Sequence, residues 1–496
     1  MRSRFWGQAW FRELLLVYSF AKRWGIMSVN TRSQEYLDNQ KRWQLVRDAI
    51  AGEEVIKKRG EGYLPRPSGM DDSEWKAYAA RPHWFGATGR TAEGLHGMIF
   101  SKPPVLKDCP EALAKLLEDI DRQGNNLDQF ASDVTWDSLP TNWGGILVDY
   151  PESDSNLDRK SAEAAGLRAY AARYSAESVI NWRWTTKDNQ LMLSLVVLHE
   201  PYEEPGDDKF TTTIKNRYRV LSLDDEGNYQ QEVYDDNSTD GLRVAVSTYN
   251  PHKNGQMMKY IPFFPLPSKN PDKSMLYDLA CENVGHYQKM ADYENGLHLT
   301  GIPTPYASCV APRDDKGNLV EVKLGGNSFL WLGDPQATAG YLEFTGQGLA
   351  TLEKAIQNCE ERMAILGARI ISAEKKGVES AEAARIHRAG ENSILASFAL
   401  NLSDVLTAVI REIGEWEGIP GSDKVTYSLN TEYDLSQMDP QLFTAWTSAR
   451  LNNEIPRAVY FNKLQANGDI PPGMSFEDWL QQLDSDGMNH GPDGDE

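Results

Sequence analysis

Apolar positions along this chain follow two rhythms, and the change from one to the other divides it. Three- and four-residue steps, the period of an amphipathic helix, run through Tyr36, Leu37, Trp43, Val46 and Ile50 and stop at Gly60 and Gly62, predicting helix over 28–60. A loop at 62–67 leads to Trp75, Tyr78 and Ala79. After Pro82 a helical run carries Leu95, Met98 and Ile99 to a stop at Pro103-Pro104. A second helical pair places Leu113, Leu116, Leu117 and Ile120, then Leu127, Phe130, Val134 and Leu139. GGILVDYP (144–151) is short and continuously apolar behind a glycine pair, which predicts a buried strand. From about 179 to 265 the rhythm turns strand-like. VINWRW, LMLSLVVLHE and IKNRYRVLSL are separated by polar loops, with Asp225-Glu226-Gly227-Asn228 as a hairpin turn. The two prolines of IPFFPL (261–266) place the end of this β-rich module at an edge or a crossover.

Helical steps then return in three long segments. The first, about 274–299, carries Leu276, Leu279, Ala280, Tyr287, Ala291 and Leu297 and ends at Gly301 and Pro303. Short strands are predicted within 302–346, in LVEVKL, SFLWL and YLEF. The second helix has the clearest period in the chain: Leu349, Leu352, Ile356, Cys359, Met363, Leu366 and Ile370. Alternating steps of three and four are the 3.5-residue repeat of a helix lying along a near-parallel neighbour. Lys375, Lys376 and Gly377 interrupt it. A third helix is predicted from Ser380, as N-cap, to Gly418 and Pro420. At ~1.5 Å per residue it would span roughly 60 Å, so it must cross modules or kink, with Gly390 the place for a kink. Residues 431–483 read as mostly helical, and 484–496 as an acidic disordered tail. No internal repeat is visible.

Composition narrows the function. The chain has 496 residues, of which 40% are hydrophobic, enough for several domains and a sizeable core. With 51 basic against 72 acidic residues the formal charge is −21, which excludes a broad phosphate-gripping surface. Acidic walls repel DNA, which suits a passage better than a clamp. Cys109, Cys281, Cys309 and Cys359 are scattered with no C-x-x-C pair, so reduced and mostly buried thiols are expected, without disulfides or zinc. Residues 1–26 are basic, but their longest apolar stretch, Leu14 to Phe20, is too short for a membrane span. They read as an amphipathic extension, or as lying upstream of a start at Met27.

Candidate chemistry is sparse. G-x-x-x-x-G-K-[ST], H-E-x-x-H and G-x-S-x-G are absent. Gly86-Ala-Thr-Gly-Arg-Thr has the glycine spacing of a phosphate loop without its lysine. Asp154, Asn156 and Asp158 match half a calcium loop, but Arg159 stands where the turn needs glycine, so a solvated loop is expected. Glu321-Val-Lys323 has the E-x-K shape of a metal-dependent nuclease strand, against the plainer reading of alternating charge on an exposed strand. His286 and His387 fall within helices, as surface or partner-satisfied residues. Trp136, Trp143, Trp182 and Trp184 read as core of the β-rich region before carbohydrate platforms. No cofactor or metal is expected.

Four segments carry a resemblance. GLHGMIFSKPP (94–104), WGGILVDYP (143–151), IPFFPLPSKNPDKSMLYDLACENVGHYQKMADYENGLH (261–298) and ESAEAARIHRAGENSILASFALNLSDVL (379–406) resemble, in this order, segments of tailed-bacteriophage portal proteins. The nearest group is a portal-like one often catalogued as a phage domain of unknown function. The resemblance covers about 60–420.

It implies an α+β portal fold: a β-containing wing over 27–272, antiparallel stem helices at 273–300 and 347–370, and a small α/β clip at 301–346 between them. A tunnel loop at 371–378, a long kinked wing helix with its return at 379–430 and a helical crown at 431–483 complete it. It further implies a non-enzymatic homo-oligomeric ring, typically a dodecamer, at one capsid vertex of the virion, with double-stranded DNA passing through. The terminase large subunit and then head-tail adaptor proteins would dock at the clip, and the major capsid protein would grip wing and stem. Leu349, Leu352, Ile356, Met363 and Leu366 would form stem contacts between subunits, and Lys375 and Lys376 would line the DNA channel. The competing readings are a head-tail adaptor or minor capsid protein, and a virion-associated nuclease.

Overall fold

The computed structural model describes residues 28–151, 166–187, 189–206, 208, 210–236, 244–301, 304–308, 313, 316–318, 336–342, 346, 348–371, 394–431, 433, 455–466, 470 and 474–487. Its architecture is mixed α and β, and the chain divides into two units, 1–431 and 432–496. Ser33 starts α1 (Gln34–Ala51) by accepting a hydrogen bond from the Tyr36 amide at 3.1 Å. Gly52, at φ 90°, breaks the single helix expected over 28–60, and α2 (Glu53–Arg59) follows it. α3 (Asp72–Ala80) opens on a reciprocal capping box between Asp71 and Glu74. α4 (Ala87–Ile99), β1 (Val105–Lys107), α5 (Glu111–Leu117) and α6 (Leu127–Ser138) come next, α6 capped by Asn126.

β2 (Gly144–Asp149) is buried at every residue and forms the middle of a three-stranded antiparallel sheet. Its neighbours are β3 (Tyr170–Ser175) and, after the rest of the β-rich module, β11 (Phe263–Pro265). β4 (Val179–Lys187), β5 (Gln190–Pro205), β6 (Thr212–Leu223), β7 (Tyr229–Asp235) and β8 (Ser247–Tyr249) make a separate five-stranded meander in chain order. β9 (His252–Lys253) and β10 (Gln256–Met257) form a small hairpin, and β11 (Phe263–Pro265) returns to the edge of the first sheet. The Phe263 ring lies across Gly145, where an added Cβ would fall 1.9 Å from a ring carbon, so this close approach requires glycine.

A polar cluster joins the two sheets. Arg219 of β6 donates to Glu200 of β5 at 2.7 Å, to Asp149 of β2 at 3.1 Å and to Gln231 of β7 at 3.0 Å, while Gln231 donates to Asp149 at 2.8 Å. Trp143 packs on Trp182 with centroids 4.8 Å apart, as core. Trp136 departs from that expectation. It sits on α6, outside the sheets, and is exposed, with its ring meeting His96 edge-on.

The rest of the first unit is α7 (Tyr277–Gly301), a β12 (Thr304–Ser308) and β13 (Thr338–Leu342) hairpin, α8 (Leu349–Ile371), α9 (Ile394–Trp416) and β14 (Thr426–Ser428), which pairs with β1. α9 is long and apolar enough to cross a membrane by composition, yet it packs against β2, β3, β11 and β14 as the central core helix. It closes at Gly418, at φ 63°. Thiol burial is uneven: Cys359 is buried, Cys109 half-buried and Cys281, on α7, exposed, contrary to the expected mostly buried set. In the second unit, α10 (Arg457–Ala466) and α11 (Phe476–Gly487) bring Phe461, Phe476 and Trp479 into one aromatic cluster. Cys309, Asp154–Asp158, Glu321-Val-Lys323, Lys375, Lys376, His387, and the expected helix start at Ser380 and kink at Gly390 lie outside the described residues.

Candidate assembly site at the α7–α8 helical hairpin

α7 and α8 run antiparallel, as their contacts show. Glu282 meets Arg362, His286 meets Glu360, and Gly296 meets Leu349, so one helix descends as the other rises. The 3.5-residue period of α8 faces this neighbour. Ile356 is 6% exposed and Met363 2%, Cys359 and Ile370 are also buried, and Leu349, Leu352 and Leu366 are half-buried. At the far end a Cβ on Gly296 would lie 2.6 Å from Leu349 Cδ2, so the glycine lets Leu349 press onto the α7 backbone. The periodicity is thus satisfied within one chain. Ile356 and Met363 have little surface left for a second one, and the apolar side chains still open on the hairpin are others. Ile365 is 51% exposed and Leu299 52%, with Tyr306 and Tyr341 exposed on the β12–β13 strands.

The other side of α7 is polar and fastens the N-terminal helices. Asn283, fully buried, accepts from both the amide and the hydroxyl of Thr88 (3.2 and 3.0 Å) and donates to the Phe85 carbonyl at 2.9 Å. Gly86 offers α4 no side-chain cap, and Asn283 supplies the missing acceptor from another helix. Further along α7, Gln288 donates to the Tyr63 carbonyl, Asp292 accepts from Tyr78, and Asn295 accepts from Arg81. This arrangement also explains the Gly86-Ala-Thr-Gly-Arg-Thr spacing. The α4 N-terminus is filled by Asn283, and Gly89 faces Ile50, whose carbonyl oxygen would be 3.1 Å from an added Cβ. The glycines serve helix packing and capping.

Between the two helices lies a small charged group. Arg362 donates twice to Glu282, at 3.0 and 2.5 Å. Burial opposes ionisation of Glu282, but the hydrogen bonds from Arg362 and Cys359 hold its carboxyl below the ordinary range. Burial pushes the Cys359 thiol up. His286 is 1% exposed, with Nε2 3.3 Å from Glu360 and Nδ1 without a hydrogen-bond partner. Burial lowers its pKa despite the carboxylate. Among the described residues no cluster of three or more His, Cys, Asp and Glu could hold a metal ion. The Asn283 role was not identified in the sequence, although an asparagine inside an apolar helical face (Leu279, Ala280, Tyr287) is the signal that could have marked it.

The family described as a domain of unknown function (DUF4055) matches residues 275–417, which span α7, the β12–β13 hairpin, α8 and α9. No curated protein matches the chain. Among solved structures, it is similar to a chain in the neck of an empty GTA particle computed with C6 symmetry (11% identity, TM-score 0.36, 84% of this chain and 99% of that one). It is also similar to a chain in the virion of a native gene transfer agent particle (11%, 0.32, 82% and 96%). A third is in the neck of the native GTA particle computed with C12 symmetry (11%, 0.33, 80% and 94%).

Proposed function

We propose that this chain is the portal subunit of a tailed-phage-like particle. Identical copies form a ring at one vertex of the capsid, and double-stranded DNA enters and leaves through it. The observation that carries the reading is the succession α7, β12–β13, α8, α9. It is an antiparallel helical hairpin with strands at its far end, followed by a long core helix, and α7 and α9 overlap the third and fourth of the resembling segments. α7 and α8 act as stem and the strands between them as clip, where the terminase large subunit and later head-tail adaptor proteins bind. The major capsid protein holds the outer, β-rich part. Lys375 and Lys376 face the DNA and make weak contacts with passing phosphates, screened over a Debye length of about 8 Å. The chain has no catalytic role: pure protein hydrolyses no ATP and cuts no DNA, and nicking of supercoiled DNA that is lost in Glu321→Gln would argue for a nuclease instead.

Electron microscopy of the purified full-length protein tests the proposal. Rings with a central hole are expected, with twelve-fold symmetry as the resemblance implies. Monomers or small solid oligomers under every assembly condition would overturn it in favour of an adaptor or minor capsid component.

A further inference from the structure

Among the described residues of the α7–α8 seam, His286 is the histidine that is buried, and its charged form has a partner on one side only. Its ring is 1% exposed, lies 5.1 Å from the Phe85 ring, and has no hydrogen-bond partner at Nδ1. Its single polar contact is Glu360 of α8, at 3.3 Å. A cleft of about 380 Å³, lined by Phe85, Arg90, Glu360 and Met363 among others, opens beside that carboxylate, so solvent reaches Glu360 while the ring behind it stays buried. Phe85, whose ring lies tilted against His286, is also the residue whose carbonyl accepts from Asn283. The imidazole therefore sits where the two long helices and the start of α4 meet.

We propose that His286 makes this three-way joint acid-labile: protonating one buried ring loosens α7 from α8 and from the segment leading into α4. A proton placed on Nδ1 adds a donor with no acceptor and a charge in a dry seam, a cost that grows with burial. The charges around it do not cancel this. On α7, Glu282 favours the cation but is already paired with Arg362, and Lys289 opposes it. On α8, Glu360 favours it from one side only, and Cys359 is neutral. On α4, Arg90 lies over the ring of Phe85, 5.0 Å from its centroid. On α1, Arg42 acts on Tyr277, well before His286 along α7. On α3, Tyr78 is bonded to Asp292.

Because the folded-state pKa is depressed, the unfolded or opened form binds the proton more readily. The joint is at full strength above the ordinary imidazole value of about 6.5. It weakens as pH falls below that value, and the loss is complete once pH has passed the folded-state pKa.

Cys359, buried on α8 next to Glu360, reports the opening, and exposed Cys281 on α7 serves as the internal reference. The full-length protein is labelled with 4,4′-dithiodipyridine, which reacts in acid as well as at neutrality, and each site is quantified by peptide mass mapping. The ratio of Cys359 to Cys281 labelling should rise several-fold between pH 7.5 and 5.5 in the wild type and stay flat in His286→Gln. Glu360→Gln, which removes the charge favouring the imidazolium in the closed form, should leave the onset of the rise in place and make the rise larger, continuing to lower pH. A flat wild-type ratio, or equal rises in wild type and His286→Gln, would overturn the proposal, the latter assigning the effect to carboxylates such as Glu282. Should His286→Gln fail to fold, judged by circular dichroism at pH 7.5, His286→Phe replaces it, with the same two outcomes.

Discussion

α8 and α9 are both 23 residues long, and they are used in opposite ways. Thirteen residues of α9 are buried, Glu412 among them, where it meets Lys253 at 3.0 Å and Tyr260 at 2.7 Å. On α8 the buried residues among those described are Ile356, Cys359, Met363 and Ile370, a single narrow stripe. A wide buried face belongs to a helix with strands on several sides, and a narrow seam to one lying chiefly along one other helix. The difference separates a helix that holds the unit together from one that the unit holds out. Both leave some apolar surface open, Ile365 on α8 and Ile394 and Leu400 on α9.

The comparison can be broken at its strongest point first. Leu402→Ala in α9 should cost about 2–5 kcal/mol, the range for a large-to-small change at a fully buried site, and lower the denaturant midpoint of the whole first unit. A loss below about 1 kcal/mol would mean that α9 is not the core helix. Asn283→Ala should cost about 1–3 kcal/mol, since the Thr88 amide and Phe85 carbonyl lose their buried partner. Its mark is faster hydrogen exchange at the start of α4, and unchanged protection there would refute the trans-cap. Ile365→Asp, together with Leu299→Asp, should move stability by no more than about 0.5 kcal/mol, as exposed sites do, yet abolish rings in electron micrographs. Intact rings would clear the outer face of the hairpin of any role in assembly. Replacing both Lys375 and Lys376 with Ala should leave stability and rings as they were and change DNA packaging or retention. Normal packaging and retention in particles carrying the double variant would leave these lysines as a solvated turn.

Much of the fold could be read from the chain because its signals were local. The α8 stripe, the glycine-led β2 strand and the proline-bounded β11 edge all rest on spacing within a few residues. What escaped depended on distant partners. β3 was not anticipated: Tyr-Ala-Ala-Arg-Tyr-Ser has no apolar alternation and becomes a strand by pairing with β2. Gly52 was passed over inside a continuous helical period, because periodicity does not register a positive φ. The hairpin shows the same divide. The seam residues were visible, but whether their neighbour lies in the same chain is not encoded in a 3.5-residue step. Asn283 was invisible as a cap because its acceptors and donors belong to a segment nearly two hundred positions earlier.

That separation has a consequence in time. Thr88 and Asn283 are 195 residues apart. A ribosome adding ~5–20 residues per second needs about 10–40 s to travel from one to the other. Throughout that interval the start of α4 has been synthesised without the group that completes it. The layer made first is therefore among the last to be finished, its closure waiting on a loop of the whole β-rich module, as expected for contacts of high sequence separation. A nascent chain arrested before residue 283 would carry α4 with its amino end open.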